Sequence, residues 1–159
     1  MEKLLKLIEK DATLTERELA LMLSKEEGDI KAMISDLKRD GIILGTRTVI
    51  NWEKTGNECV DALIEVKVMP QHDEGFDKIA ERICFYPEIK GLYLMSGGFD
   101  FTVLLEGKTM KEVAFFVARK LATIEFVTST STHFVLKTYK DKGILYHTPE
   151  RDTRENLMI

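Results

Sequence analysis

The chain has 159 residues, 31% of them charged and 44% hydrophobic, with a formal net charge of -4. This is apolar material for one ordinary domain or two small ones, and it excludes a bulk polycation, so contact with nucleic acid requires a local basic patch. The two cysteines, Cys59 and Cys84, lie far apart in apolar runs; they exclude a disulfide scaffold and are expected to be buried thiols in a reducing cytosol.

Leu4, Leu5, Leu7 and Ile8 recur at helical spacing and form the inner face of a first helix. Acids interrupt this N-terminal apolar pattern, which is unlike a secretory signal. No apolar run is long enough to span a bilayer, so a cytoplasmic location away from membranes is expected. Thr15-Glu-Arg-Glu18 predicts a capping box and a second helix, with Leu19, Met22 and Leu23 on its apolar face. A third helix is expected from about Glu26, with Ile30, Met33, Ile34 and Leu37 facing inward. Asp40-Gly41 stops it, because glycine accepts the left-handed conformation at a helix end. Three short helices with tight connections predict a helix-turn-helix domain over residues 1–50. Residues 42–50 are β-rich and are read as a wing or linker strand. The turn-like run from Asn51 to Gly56 makes 51–58 a linker.

The second half has a different period. Residues 60–69 alternate (Ile64, Val66, Val68) and predict a strand closed by Pro70. Phe76, Ile79, Ala80 and Ile83 lie on one face of a helix that ends before Pro87. Residues 89–95 and 99–105 are expected strands, joined by Ser96-Gly97-Gly98. Thr109-Met-Lys-Glu112 predicts a second capping box, leading into Val113, Ala114, Val117, Ala118 and Leu121 on a helix. Residues 126–139 read as a long final strand. The fold class is therefore α+β: a helical domain followed, over 59–147, by a ferredoxin-like βαββαβ unit, with a charged, aperiodic tail at 148–159. One face of such a sheet has no helix of its own and is expected to pair with a second copy. Ile64, Val66, Val103, Leu105 and Val135 are expected to alternate between helix-facing and partner-facing positions.

No catalytic set emerges. His72, His133 and His147 are scattered, with no Cys or acid at metal-ligand spacing, so neither a metal nor a cofactor is expected. Two stretches carry chemistry together. Met95-Ser-Gly-Gly-Phe-Asp-Phe101 offers a turn whose exposed amides can hold a carboxylate, while Asp100 can hold an ammonium group. Val127-Thr-Ser-Thr-Ser-Thr132 supplies hydroxyls. Taken singly, the first is an ordinary tight turn and the second ordinary strand propensity. Combined, Gly97, Asp100, Thr128, Thr130 and Thr132 form a candidate amino-acid pocket.

The chain resembles the Lrp/AsnC, or feast/famine, transcription regulators over nearly its whole length. The resemblance rests on the helix-turn-helix ending in Lys38-Arg-Asp-Gly-Ile-Ile43, on Val49-Ile-Asn-Trp-Glu-Lys-Thr-Gly56, on Gly97-Gly-Phe-Asp100, and on the strand ending in Phe134-Val-Leu-Lys137. It implies an N-terminal DNA-binding domain, and a RAM-type C-terminal domain that binds an amino acid between dimers. It also implies a homodimer assembling to a tetramer or octamer. The implied contacts with double-stranded DNA are Lys31, Ser35, Lys38, Arg39 and Arg47. Two departures stand out. Gly98 replaces the acid that the family's hairpin usually carries. From Lys25 to Arg39, moreover, four bases (Lys25, Lys31, Lys38, Arg39) meet four acids (Glu26, Glu27, Asp29, Asp36), a net charge of zero. The alternative is a sensor or assembly partner of the same fold that does not bind DNA. An enzyme is not expected. Similar proteins that decarboxylate sirohaem carry a His-x-Tyr-Asn segment near the hairpin, where this chain has Gly98-Phe-Asp-Phe101.

Overall fold

The computed structural model describes residues 1–56, 59–69 and 75–146. Pro70, His72, His147 and the 148–159 tail lie outside the described residues. The chain divides into two compact units, Met1–Ile50 and the remainder from Asn51.

The first unit contains α1 (Glu2–Lys10), α2 (Glu16–Leu23) and α3 (Glu27–Arg39). Leu4, Leu19, Ala20, Ile30 and Leu37 are buried together, one or two from each helix. This is the arrangement that the 3.6-residue spacing demands of three helices with one apolar face each. Met22 is the exception on α2, being exposed. The cap at Thr15 is reciprocal. Its hydroxyl accepts from the Glu18 N–H at 3.3 Å, and Glu18 accepts from the Thr15 N–H at 2.8 Å. That backbone donor holds the Glu18 carboxyl below the usual range. Helix α3 ends through Asp40 at Gly41, whose φ of +69° is the left-handed geometry expected there. The expected strand at 42–50 is not formed: 43–50 run irregularly, and Leu44 is 93% exposed. A strand exists only against a paired strand, and among the described residues none pairs with this segment.

The second unit follows the order β1 (Val60–Val68), α4 (Phe76–Cys84), β2 (Ile89–Leu94), β3 (Phe101–Gly107), α5 (Met110–Phe116) and β4 (Val127–Phe134). Helix α5 continues as a π-helical turn over Val117–Leu121. The sheet order is β2-β3-β1-β4, with all three pairings antiparallel, the ferredoxin-like arrangement. The last strand stops at Phe134 rather than running to 139; a small hairpin, β5 (Lys140–Asp141) with β6 (Ile144–Leu145), follows. The cap at Thr109 is only half of a box. Its hydroxyl accepts from the Glu112 N–H, but Glu112 reaches past it to the Lys108 N–H at 2.7 Å.

Register decides which residues face the helices. Ala62, Ile64 and Val66 stand opposite Leu105, Val103 and Phe101 on one side and Phe134, Thr132 and Thr130 on the other. Directly opposed residues of antiparallel strands share a face. Ile64, Val66, Val103 and Leu105 therefore do not alternate: all four are in the core under α4 and α5, with Ile79, Ile83, Val113, Phe116 and Leu121. Val135 lies beyond the strand and is exposed. The helix-free face carries instead Leu63, Glu65 and Lys67, with Thr102, Leu104, Ser131 and His133. Both cysteines are exposed rather than buried. Cys84 ends α4, where Ile83 and Ile79 take the inward positions, and Cys59 precedes the first sheet pairing.

Candidate functional site

Helix α3 presents Lys31, Ser35 and Lys38 at intervals of four and three residues, all exposed and to one side of the buried Ile30 and Leu37. One outward stripe thus holds three of the expected DNA contacts. Arg39 is exposed on the same turn, but its guanidinium is engaged. It lies 2.7 Å from the Asp36 carboxylate and 3.1 Å from that of Asp40. Arg47 is exposed in the irregular segment after the helix. Glu26 is the N-cap of α3 but makes no side-chain capping bond, and Glu27 and Asp29 occupy the first turn. Carboxylates there favour the positive end of the helix dipole by about 0.3–1 kcal/mol each.

The second candidate site centres on the turn between β2 and β3. Gly97 has φ +143°, open to glycine and unfavourable for other residues. Asp100 closes the turn. Its carbonyl accepts from the Met95 N–H at 2.8 Å, and its N–H donates to the Val66 carbonyl at 3.0 Å. Its carboxylate oxygen Oδ2 accepts from the Val68 N–H at 2.8 Å. Across β1, the Thr128 hydroxyl donates to the Lys67 carbonyl at 3.1 Å. Asp100 and Thr128 thus converge on the end of β1, at a bulge between Lys67 and Val68. The turn joins β2 to β3, and β1 lies between β3 and β4. Thr130 and Thr132 are half-buried on the helix side, opposite Val66 and Ile64. Thr132 is four residues from Thr128, about 13 Å along the strand, so the structure does not bring it to the turn.

Sequence reasoning left out two features. On the helix-free face, His133 Nε2 lies 3.4 Å from a Glu65 carboxylate oxygen and 3.3 Å from the Ser131 hydroxyl. Their period-two spacing with the opposing strand could have signalled this. An open groove of about 460 Å³ is lined by Glu81, Arg82, Phe85, Tyr86, Ile124 and Glu125, and contains none of the expected site residues. Among the described residues, no three His, Cys, Asp or Glu side chains gather as a metal site, and no helix is long and apolar enough to cross a membrane.

Residues 61–145 match the Lrp/AsnC ligand binding domain. Over 153 residues the chain is 37% identical to an uncharacterized HTH-type transcriptional regulator, YugG, of Bacillus subtilis, covering 96% of this chain and 92% of that one. The chain belongs to the Lrp/AsnC family. A second relative, the HTH-type transcriptional regulator FL11 of Pyrococcus furiosus, is 29% identical, covering 88% of this chain and 89% of its own. The fold agrees with solved Lrp/AsnC structures. E. coli AsnC superposes with a TM-score of 0.68 at 20% identity, over 89% of this chain and 93% of that chain. A Neisseria meningitidis transcriptional regulator, solved as an L-Met complex, gives 0.70 at 21% identity, over 87% and 89%. The helical unit followed by the βαββαβ unit is the family's architecture, and this Lrp/AsnC chain is a transcription regulator rather than an enzyme.

Proposed function

We propose that this Lrp/AsnC protein is a cytoplasmic regulator that reads double-stranded DNA with α3 and responds to an amino acid bound near the Asp100 turn. The observation that carries the DNA reading is the exposed Lys31–Ser35–Lys38 stripe on the last helix of a three-helix unit. Such a helix fits a major groove, where lysine meets guanine or phosphate and serine meets either base edge. Lys38 and Arg47 are then backbone contacts. Arg39 contributes once DNA phosphate displaces Asp36 and Asp40. A non-DNA-binding sensor is the second reading, favoured by Glu26, Glu27 and Asp29 in the first turn and by the engagement of Arg39.

Few uncompensated cations imply a shallow dependence of affinity on salt, because the slope follows the number of phosphates neutralised. Replacing Glu26 and Glu27 with Gln is expected to raise affinity for scrambled DNA more than for the operator, since the two acids oppose every phosphate alike. A fluorescence titration of the protein's own upstream region against scrambled DNA, at two salt concentrations, measures this. No binding at low salt, with candidate amino acids present, would leave the sensor as the better reading.

The amino-acid reading is supported by the convergence of Asp100 and Thr128 at the end of β1, and by a neighbouring fold that holds L-Met. The helix-free sheet face supports assembly. Leu63 is 40% and Tyr93 53% exposed there, and among the described residues of this unit no helix covers them. Two such faces packed together make a dimer, and dimers combine into a tetramer or octamer that links several weakly binding helices. Light scattering at micromolar concentration is expected to give a dimer or larger. A monomer at all concentrations would refute this assembly.

A further inference from the structure

The segment from Met110 to Leu121 has two faces of different chemistry. Val113, Phe116, Val117 and Leu121 are buried. Ala114 and Ala118, which the helical spacing assigns to the same apolar face, are exposed. They flank a stripe formed by Lys111, Phe115 and Arg119, four residues apart. Phe115 is 46% exposed, with Lys111 Nζ 5.6 Å from its ring centroid and Arg119 Cζ 4.9 Å from it.

Two neighbouring cations of this unit are paired, Arg82 with Glu125 and Lys120 with Glu88. Among the described residues, neither Lys111 nor Arg119 forms an ion pair. Glu112, the one acid between Met110 and Leu121, is turned back to the Lys108 N–H. In a chain of net charge -4, Lys111 and Arg119 thus form a pair of uncompensated cations on one stripe. Packing does not explain it either, because the ring is half in water and both head groups are exposed. A ring between two cations does something definite: its π face attracts both head groups and restricts their rotamers. A guanidinium held in this way loses less freedom on meeting an anion. The neighbouring alanines let an extended surface come close.

The partner that fits is an extended polyanion, and the DNA reading supplies one. Helix α3 is electrically balanced and Arg39 is engaged, so its own phosphate term is small. We propose that Lys111 and Arg119, organised by Phe115, form a second phosphate-contacting surface on the C-terminal unit. Its ligand is the phosphate backbone of duplex DNA. The inference rests on the DNA reading above and adds a surface to it.

The test titrates three proteins against fluorescent upstream-region and scrambled duplexes over a salt series. They are the wild type, Lys111→Gln/Arg119→Gln and Phe115→Leu. The double variant is expected to bind both duplexes more weakly, with the same preference between them. Its log–log salt slope should fall by about 1.8 per bound protomer, roughly 0.9 for each phosphate that is no longer neutralised. Phe115→Leu keeps both charges and therefore the slope, and loses about two- to fivefold in affinity. Light scattering and thermal melting are expected to match the wild type for both variants. A double variant with wild-type slope and affinity overturns the inference. Weak binding that comes with lost assembly and an unchanged slope overturns it as well. If the wild type binds neither duplex at low salt, the DNA reading fails and this surface falls with it.

Discussion

Phe101→Ala is expected to destabilise the C-terminal unit by about 3–5 kcal/mol, the range for truncating a fully buried aromatic. Phe101 is 2% exposed, opens β3, and meets the Phe76 ring edge-on at a centroid distance of 5.9 Å. It also stands opposite Val66 in β1 and Leu94 in β2, so the cavity would open where three strands and α4 meet. Neighbours on rigid strands cannot collapse into such a hole, and for that reason the cavity term adds to the transfer term. The measurement is urea unfolding followed by Trp52 fluorescence, since the single tryptophan belongs to this unit. Phe101→Leu is expected to lose less than half as much. A loss below about 1 kcal/mol for Phe101→Ala would contradict the core described above.

Asp100→Ala is expected to act twice, on the fold and on the effector. The sequence suggested a side chain free to hold an ammonium group. The structure corrects that, because its Oδ2 accepts from the Val68 N–H. Removing the carboxylate strands this donor at the end of β1, at a cost of about 1–3 kcal/mol. Asp100→Asn separates the two roles. The amide oxygen still accepts from Val68, so stability stays near that of the wild type, but the charge is gone. If the turn holds an amino acid as proposed, loss of a charge-assisted bond worth roughly 1.5–3 kcal/mol lowers affinity by about ten- to a hundredfold. Calorimetric titration with whichever amino acid raises the melting temperature of the wild type measures this. Wild-type affinity in Asp100→Asn would remove Asp100 from the effector site.

Periodicity alone determined a great deal about this chain. The spacing of Leu4, Leu19, Ile30 and Leu37 specifies three helices that share one core, because each residue type and interval has one economical burial. The order βαββαβ followed in the same way from alternation, Pro and Gly punctuation and the Thr109–Glu112 cap. With the family motifs, these also identified a transcription regulator. What sequence could not determine was anything set by relative placement. Alternation says that Ile64 and Val66 share a face, yet only the pairing with Val103 and Phe101 says that this face lies under the helices. Intervals place Asp100 and Thr128 in different elements, and only the insertion of β1 between β3 and β4 makes both converge on Lys67 and Val68. The same holds for charge. A count finds four bases and four acids around α3, but the engagement of Arg39 by Asp36 and Asp40, and the placement of Lys111 and Arg119 on either side of Phe115, are facts of geometry. Local sequence sets which face of an element is apolar; packing sets what each remaining side chain meets.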